Sequence, residues 1–179
     1  MGDSRFGISN GNPILVVMAG LPGVGKSTIA RSLCREFGAY HLRVDAIEEG
    51  MKAFGILPEQ IAGSGYAAMV NLARENLELG FSSLIDCVNP VALTRRMFLE
   101  IAEVVPCEVI TVEVVCSDLA VHRERLEARG PEPSWQDVLD REYEPWLEAA
   151  FRIETASGGL DDWIAPICRT SRDSGHNVQ

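Results

Sequence analysis

The chain has 179 residues, 46% apolar and 23% charged, which is ample for one buried core and unlike a disordered chain. Its 26 acidic residues against 16 basic ones leave a formal net charge of −10. Such a surface repels phosphate backbones and anionic lipid, so it disfavours a general nucleic-acid or membrane-surface binder while leaving room for a local basic pocket.

Residues 1–12 and 171–179 are polar and read as flexible tails around a single domain at 13–170. The apolar run Ile14 to Leu21 is too short to span a bilayer, and no basic region precedes an apolar leader. Five cysteines, odd in number and without a CxxC pair, predict reduced thiols in a cytoplasmic protein rather than a zinc site.

Between the tails, strand and helix signals alternate. Ile14–Ala19 reads as a strand buried on both faces. A glycine-rich turn leads to a helix with Ile29, Leu33 and Phe37 on one stripe and Gly38 as its stop. Tyr40–Val44 predicts a short strand, followed by Asp45 and a helix over Ala46–Ala53. A long helix is expected over Tyr66–Leu79 and a strand over Phe81–Val88, passing through Asp86. Asn89 with Pro90 reads as the start of a helix that buries Leu93, Met97, Ile101 and Val104. Cys107–Cys116 predicts the fourth strand. Ser117 is expected to cap a helix to Arg129, which Gly130–Pro133 breaks. Ser134 and Asp137 form a capping-box pattern for a helix carrying Trp135, Val138, Leu139 and Trp146. Phe151–Thr155 and Leu160–Arg169 complete the set as a fifth strand and a closing helix. This alternation predicts a parallel sheet covered on both faces, with ligand chemistry at the strand carboxyl ends.

Gly20-Leu21-Pro22-Gly23-Val24-Gly25-Lys26-Ser27 matches GxxxxGK[ST] between a predicted strand and a predicted helix. Glycines let successive N–H groups turn inward on phosphate oxygens, and the following helix adds its positive dipole end. Lys26 supplies a point charge for the β- and γ-phosphates, the Ser27 hydroxyl suits Mg²⁺, and Thr28 completes the candidate nucleotide-binding run. Only one other lysine, Lys52, occurs in the chain. A GTPase would carry DxxG after the acidic strand and an NKxD guanine reader. Asp86 is instead followed by Cys87-Val88-Asn89, and NKxD is absent.

The chain resembles the small phosphate-loop kinases of the AAA_33 type: adenylylsulfate, gluconate and chloramphenicol kinases, polynucleotide 5′-hydroxyl kinases and zeta-type toxins. Four segments over roughly residues 14–155 carry the resemblance. They are the phosphate loop, Val44–Glu48, Leu84-Ile85-Asp86, and Cys116-Ser117-Asp118 with His122, Arg123, Arg125 and Arg129 beyond it. The resemblance implies a three-layer α/β sandwich around a five-stranded parallel sheet of order 2-3-1-4-5, with ATP and Mg²⁺ as cofactors. It also implies that Asp45 orients the acceptor hydroxyl and takes its proton, that Asp86 serves the metal with Ser27, and that a lid over about residues 123–137 supplies arginines. Arg123 and Arg129 are the expected catalytic pair there, with at most two of the three helix arginines pointing inward.

His122 and the aromatic set Trp135, Tyr143 and Trp146 read as packing residues rather than as acid–base or substrate groups. The expected activity is ATP-dependent transfer of the γ-phosphoryl group to a hydroxyl of a small molecule. The alternatives are a polynucleotide or nucleotide-sugar kinase, and an ATP-binding switch with no acceptor. A polynucleotide acceptor would want a basic channel, which this acidic, lysine-poor chain lacks in its composition.

Overall fold

A computed structural model of the chain describes residues 12–61 and 63–174. The expected tails therefore lie outside the described residues, except for Asn12 and residues 171–174. The strands β1 (Ile14–Ala19), β2 (Tyr40–Arg43), β3 (Ser83–Asp86), β4 (Glu108–Val115) and β5 (Phe151–Glu154) form one all-parallel sheet in the order β2-β3-β1-β4-β5. This is the expected order.

The unbroken apolar run of β1 follows from its central place. Val16 and Met18 face one layer with Ile29, Leu33 and Ile167, while Leu15 and Val17 face the other with Met69, Leu77 and Phe98. The first layer is built by α1 (Lys26–Phe37) and α9 (Leu160–Ser174), which runs past its expected end at Arg169. The second is built by α4 (Ser64–Glu78), α5 (Ala92–Leu99) and α6 (Ile101–Val104). Before α4 come α2 (Val44–Ala53) and the single turn α3 (Pro58–Ile61). Gly65 lets α4 close on α2, because a Cβ there would meet Glu48 Cγ at 2.9 Å.

Three local expectations are corrected. Asn89 is not a helix cap: it takes φ 50°, a turn that asparagine tolerates better than most residues, and α5 starts at Ala92 instead. The turn lets Val88 O accept from Gly20 N at 3.0 Å and Asn89 O accept from Arg95 Nε at 3.1 Å. With the later start and a break at Glu100, the inward stripe rotates to Arg95, Phe98, Ile101 and Val105, leaving Leu93 and Val104 exposed.

The cap of α7 (Leu119–Glu127) is Asp118 rather than Ser117. Its carboxylate accepts from Ala120 N and Val121 N, and a charged acceptor is the stronger partner for those amides. The capping box of α8 (Trp135–Leu139) is present as expected, but the helix ends before Trp146.

Trp146 lies on a separate segment that a buried charge holds in place. Arg95 sits over the rings of Tyr143 and Trp146, and it donates to Glu144 O and Pro90 O. Glu113 on β4 is wholly buried beneath it, and its Oε1 accepts from Tyr143 Oη and Trp146 N. Its Oε2 pairs with Arg152 Nη1 at 3.0 Å, an ion pair whose angle falls outside hydrogen-bond geometry. The aromatic set is thus packing, as expected, although its members do not share a helix.

Candidate nucleotide and acceptor site

The turn between β1 and α1 sits at the carboxyl end of the central strand, where the sheet order reverses between β3 and β4. Its shape is set by close approach. A Cβ on Gly20 would fall 2.3 Å from Val114 O, and Gly23 has φ 88° with the His122 ring and Leu126 3.1 Å from where its Cβ would be. No other residue fits either place without moving backbone or core.

The loop's carbonyls are taken by three donors. Lys26 Nζ donates to Leu21 O at 2.9 Å, His122 Nε2 to Pro22 O at 2.7 Å, and Thr155 Oγ1 to Val24 O at 2.8 Å. Among the described residues no group accepts from the amides of Gly23, Gly25, Lys26 and Ser27. With carbonyls turned outward and amides unused, the loop is a ready anion cradle at the head of α1.

Lys26 is 8% exposed, and burial lowers its ammonium below the ordinary value against the raising pull of Asp86 and Asp45. A phosphate anion in the cradle would favour the ammonium form further. Asp86, at the end of β3, is 4% exposed. Burial pushes its carboxyl up, but the His41 hydrogen bond at 3.0 Å, the Lys26 charge and a hydrogen bond from Ser27 outweigh it. The net result is a carboxylate held below its usual range. An ionised acid facing a serine hydroxyl is a hard-oxygen pair that suits Mg²⁺ bound together with phosphate oxygens. Among the described residues no cluster of three or more His, Cys, Asp or Glu could hold a metal unaided.

Two clefts meet at Lys26, Ser27, Arg43 and Arg129. The first, about 640 Å³, carries Gly25, Thr28, Arg31, Arg125, His41 and Trp163, with no carboxylate in its lining. The second, about 830 Å³, holds Asp45, Glu48, Asp86 and Lys52, and Asp137, Asp140 and Arg141 from beyond the Gly130–Pro133 break.

Asp45 opens into the second cleft with 53% of its side chain exposed, 3.7 Å from Arg43 Nη2. Helix α2 begins at Val44, one residue before it, and the helix end has no side-chain cap. The capping role available to an aspartate is therefore not in use.

Of the two arginines expected to act, Arg129 lies where the clefts meet and Arg123 does not reach them. Arg123 is 59% exposed and pairs along its own helix with Glu127 at 2.7 Å. Its place is taken by Arg125, which donates to Thr155 Oγ1 at 3.1 Å and Thr155 O at 3.0 Å. The helix expected to run to Arg129 ends at Glu127, so Arg129 reaches the clefts from the turn in which its N–H donates to Leu126 O, while Arg123 and Arg125 differ in the face of α7 they occupy. His122 is buried and packs edge-on against Trp135, so it is a packing residue as expected, though it also holds the phosphate loop.

His41, Arg31, Arg43 and Trp163 had no sequence signal. Each is a single residue on an otherwise ordinary element; Arg31 is one turn along α1 from Ser27, and the sheet order brings the other three to the loop.

A family model described as an AAA domain, AAA_33, matches residues 15–151. Similar solved structures include a Chloroflexus aurantiacus J-10-fl protein assigned as a kinase, with TM-score 0.74 and 20% identity over 93% of this chain and 100% of that one. The Mycobacterium tuberculosis APS kinase in complex with AMPPNP and APS has TM-score 0.67 and 17% identity over 90% of this chain and 96% of that one. A gluconokinase from Sinorhizobium meliloti 1021 has TM-score 0.59 and 17% identity over 92% and 99%. At these identities the likeness is one of fold. No curated protein matches the sequence.

Proposed function

This chain belongs to the AAA_33 family of AAA domains, and on that premise we propose that it is an ATP-dependent kinase acting on a hydroxyl of a small molecule. The observation that carries the reading is Asp45: an uncapped, open carboxylate in the second cleft, close enough to Lys26 to act on its charge. A nucleotide switch has no use for it.

In this reading the triphosphate lies in the amide cradle, with its base end toward Arg125 and Trp163 in the all-basic cleft. Lys26 neutralises the β- and γ-oxygens, and Arg129 stands where the γ-phosphoryl passes from one cleft to the other. Ser27 and Asp86 would hold Mg²⁺, which supplies charge neutralisation across the β- and γ-phosphates. Asp45 accepts the acceptor's hydroxyl proton as the acceptor oxygen bonds to the γ-phosphorus and the bond to ADP breaks. The segment after α7 would act as the lid over both.

The acceptor side is acidic. Asp45, Glu48, Glu49, Glu132, Asp137 and Asp140 face Arg43, Lys52, Arg129 and Arg141. That balance favours a neutral or cationic alcohol over an anionic one, and disfavours a polynucleotide. All five cysteines are free, which fits a cytoplasmic enzyme, and no helix among the described residues is long and apolar enough to cross a membrane.

The test is Asp45→Asn assayed against a panel of alcohols. Phosphotransfer should fall by about 10²-fold or more while ATP affinity stays within about twofold. If ATP turnover is unchanged in the variant and no alcohol is consumed by the wild type, the protein is an ATP-binding switch instead.

A further inference from the structure

We infer that His41 is a positioning residue that holds Asp86 for the metal–nucleotide complex. The inference rests on the nucleotide reading above and assigns a role to a side chain outside the phosphate loop and the lid.

His41 Nε2 lies 3.0 Å from Asp86 Oδ2, and an ionised carboxylate only accepts, so Nε2 carries the hydrogen. Asp86 is almost wholly buried, and the groups that favour its ionised form are His41, Lys26 and Ser27. Lys26 is committed to the loop and to phosphate, and the Ser27 hydroxyl must leave Asp86 to meet a metal. His41 holds the carboxylate by a direct side-chain hydrogen bond that nucleotide binding has no reason to take, and so fixes its rotation.

The fold gives His41 this place by an indirect route. In the β2–β3 register His41 pairs with Leu84 and Arg43 with Asp86, so His41 reaches Asp86 diagonally along the sheet. Its side chain is 23% exposed and forms part of the first cleft's wall, so it joins the nucleotide cleft to the buried acid. With Oδ2 held by the imidazole, Oδ1 is left for the metal or its water. Hydrogen-bond partners behind a metal ligand typically change metal affinity by about 10- to 100-fold when removed.

The test uses the full chain with ADP, reading Mn²⁺ affinity of the ADP complex by electron paramagnetic resonance and metal-free ADP affinity by calorimetry in EDTA. His41→Leu removes the donor, and His41→Gln keeps an N–H at the same reach. The expected result is a loss of about tenfold in Mn²⁺ affinity for the leucine variant, metal-free ADP affinity within about twofold, and recovery in the glutamine variant. Unchanged Mn²⁺ affinity in the leucine variant overturns the assignment. So does an equal loss of ADP affinity without metal, or a glutamine variant as weak as the leucine one. Failure of the wild type to bind ADP at all would be a different result, and would sink the kinase reading itself.

Discussion

His122 and Pro22, a hundred residues apart, are joined by a 2.7 Å hydrogen bond, and the His122 imidazole fills the space that a side chain at residue 23 would need. The first turn of α7 and the phosphate loop are thus one packed unit. His122→Ala should cost about 2–4 kcal/mol of stability, from the cavity against Trp135 and the orphaned Pro22 carbonyl. It should also weaken ATP binding, because the loop loses one of the three donors that turn its carbonyls outward. Denaturant unfolding and nucleotide titration on the same variant check both halves.

Arg129 and Arg123 make a paired comparison. Arg129→Ala removes a guanidinium from the meeting point of the two clefts and should lower kcat by about 10²- to 10³-fold. Arg123→Ala removes only a surface pair with Glu127, worth well under about 1 kcal/mol, and should leave kcat unchanged. Steady-state kinetics on the two variants decide whether the turn after α7, rather than its exposed face, serves the reaction.

Glu113 is a wholly buried carboxylate shared by three partners. Glu113→Ala leaves Arg152, the Tyr143 hydroxyl and the Trp146 amide without their shared acceptor, and should destabilise by about 3–5 kcal/mol. The damage should concentrate in residues 143–146, where hydrogen exchange would report faster amide loss than in β1.

Glu154 sets an acid limit. Burial nudges its carboxyl up, but the amides of Ala156 and Ser117 outweigh that and hold it below the ordinary 4.5. A carboxyl lowered on folding contributes stability above its unfolded value and loses it as pH falls through the folded one. Glu154→Gln should therefore be less stable than wild type at neutral pH and converge with it as pH falls through the lowered carboxyl value, with thermal unfolding midpoints as the readout.

Much of the molecule was legible in one dimension because its signals are local. The β1 run, the Gly38 stop and the Ser134–Asp137 capping box each depend on neighbours within a few residues, and each is found as expected. The misreadings share another cause. Asn-Pro favours a helix start, yet long-range bonds of Asn89 to Met18 and Arg95, with that of Val88 to Gly20, hold Asn89 in a left-handed turn. Arg123 and Arg125 have the same chemistry two positions apart, so only the direction of the helix face separates them.

What the sequence determined by itself was an anion cradle followed by a helix, with aspartates at the ends of the second and third strands, since these require only local geometry and residue type. The tertiary structure alone decided which side chains surround that cradle. His41 comes from β2 and Thr155 and Trp163 from the far end of the chain, and sheet order places them around a loop formed by residues 20–27. Contacts of that kind depend on which strands lie side by side, a property of the whole sheet that no short stretch of sequence encodes.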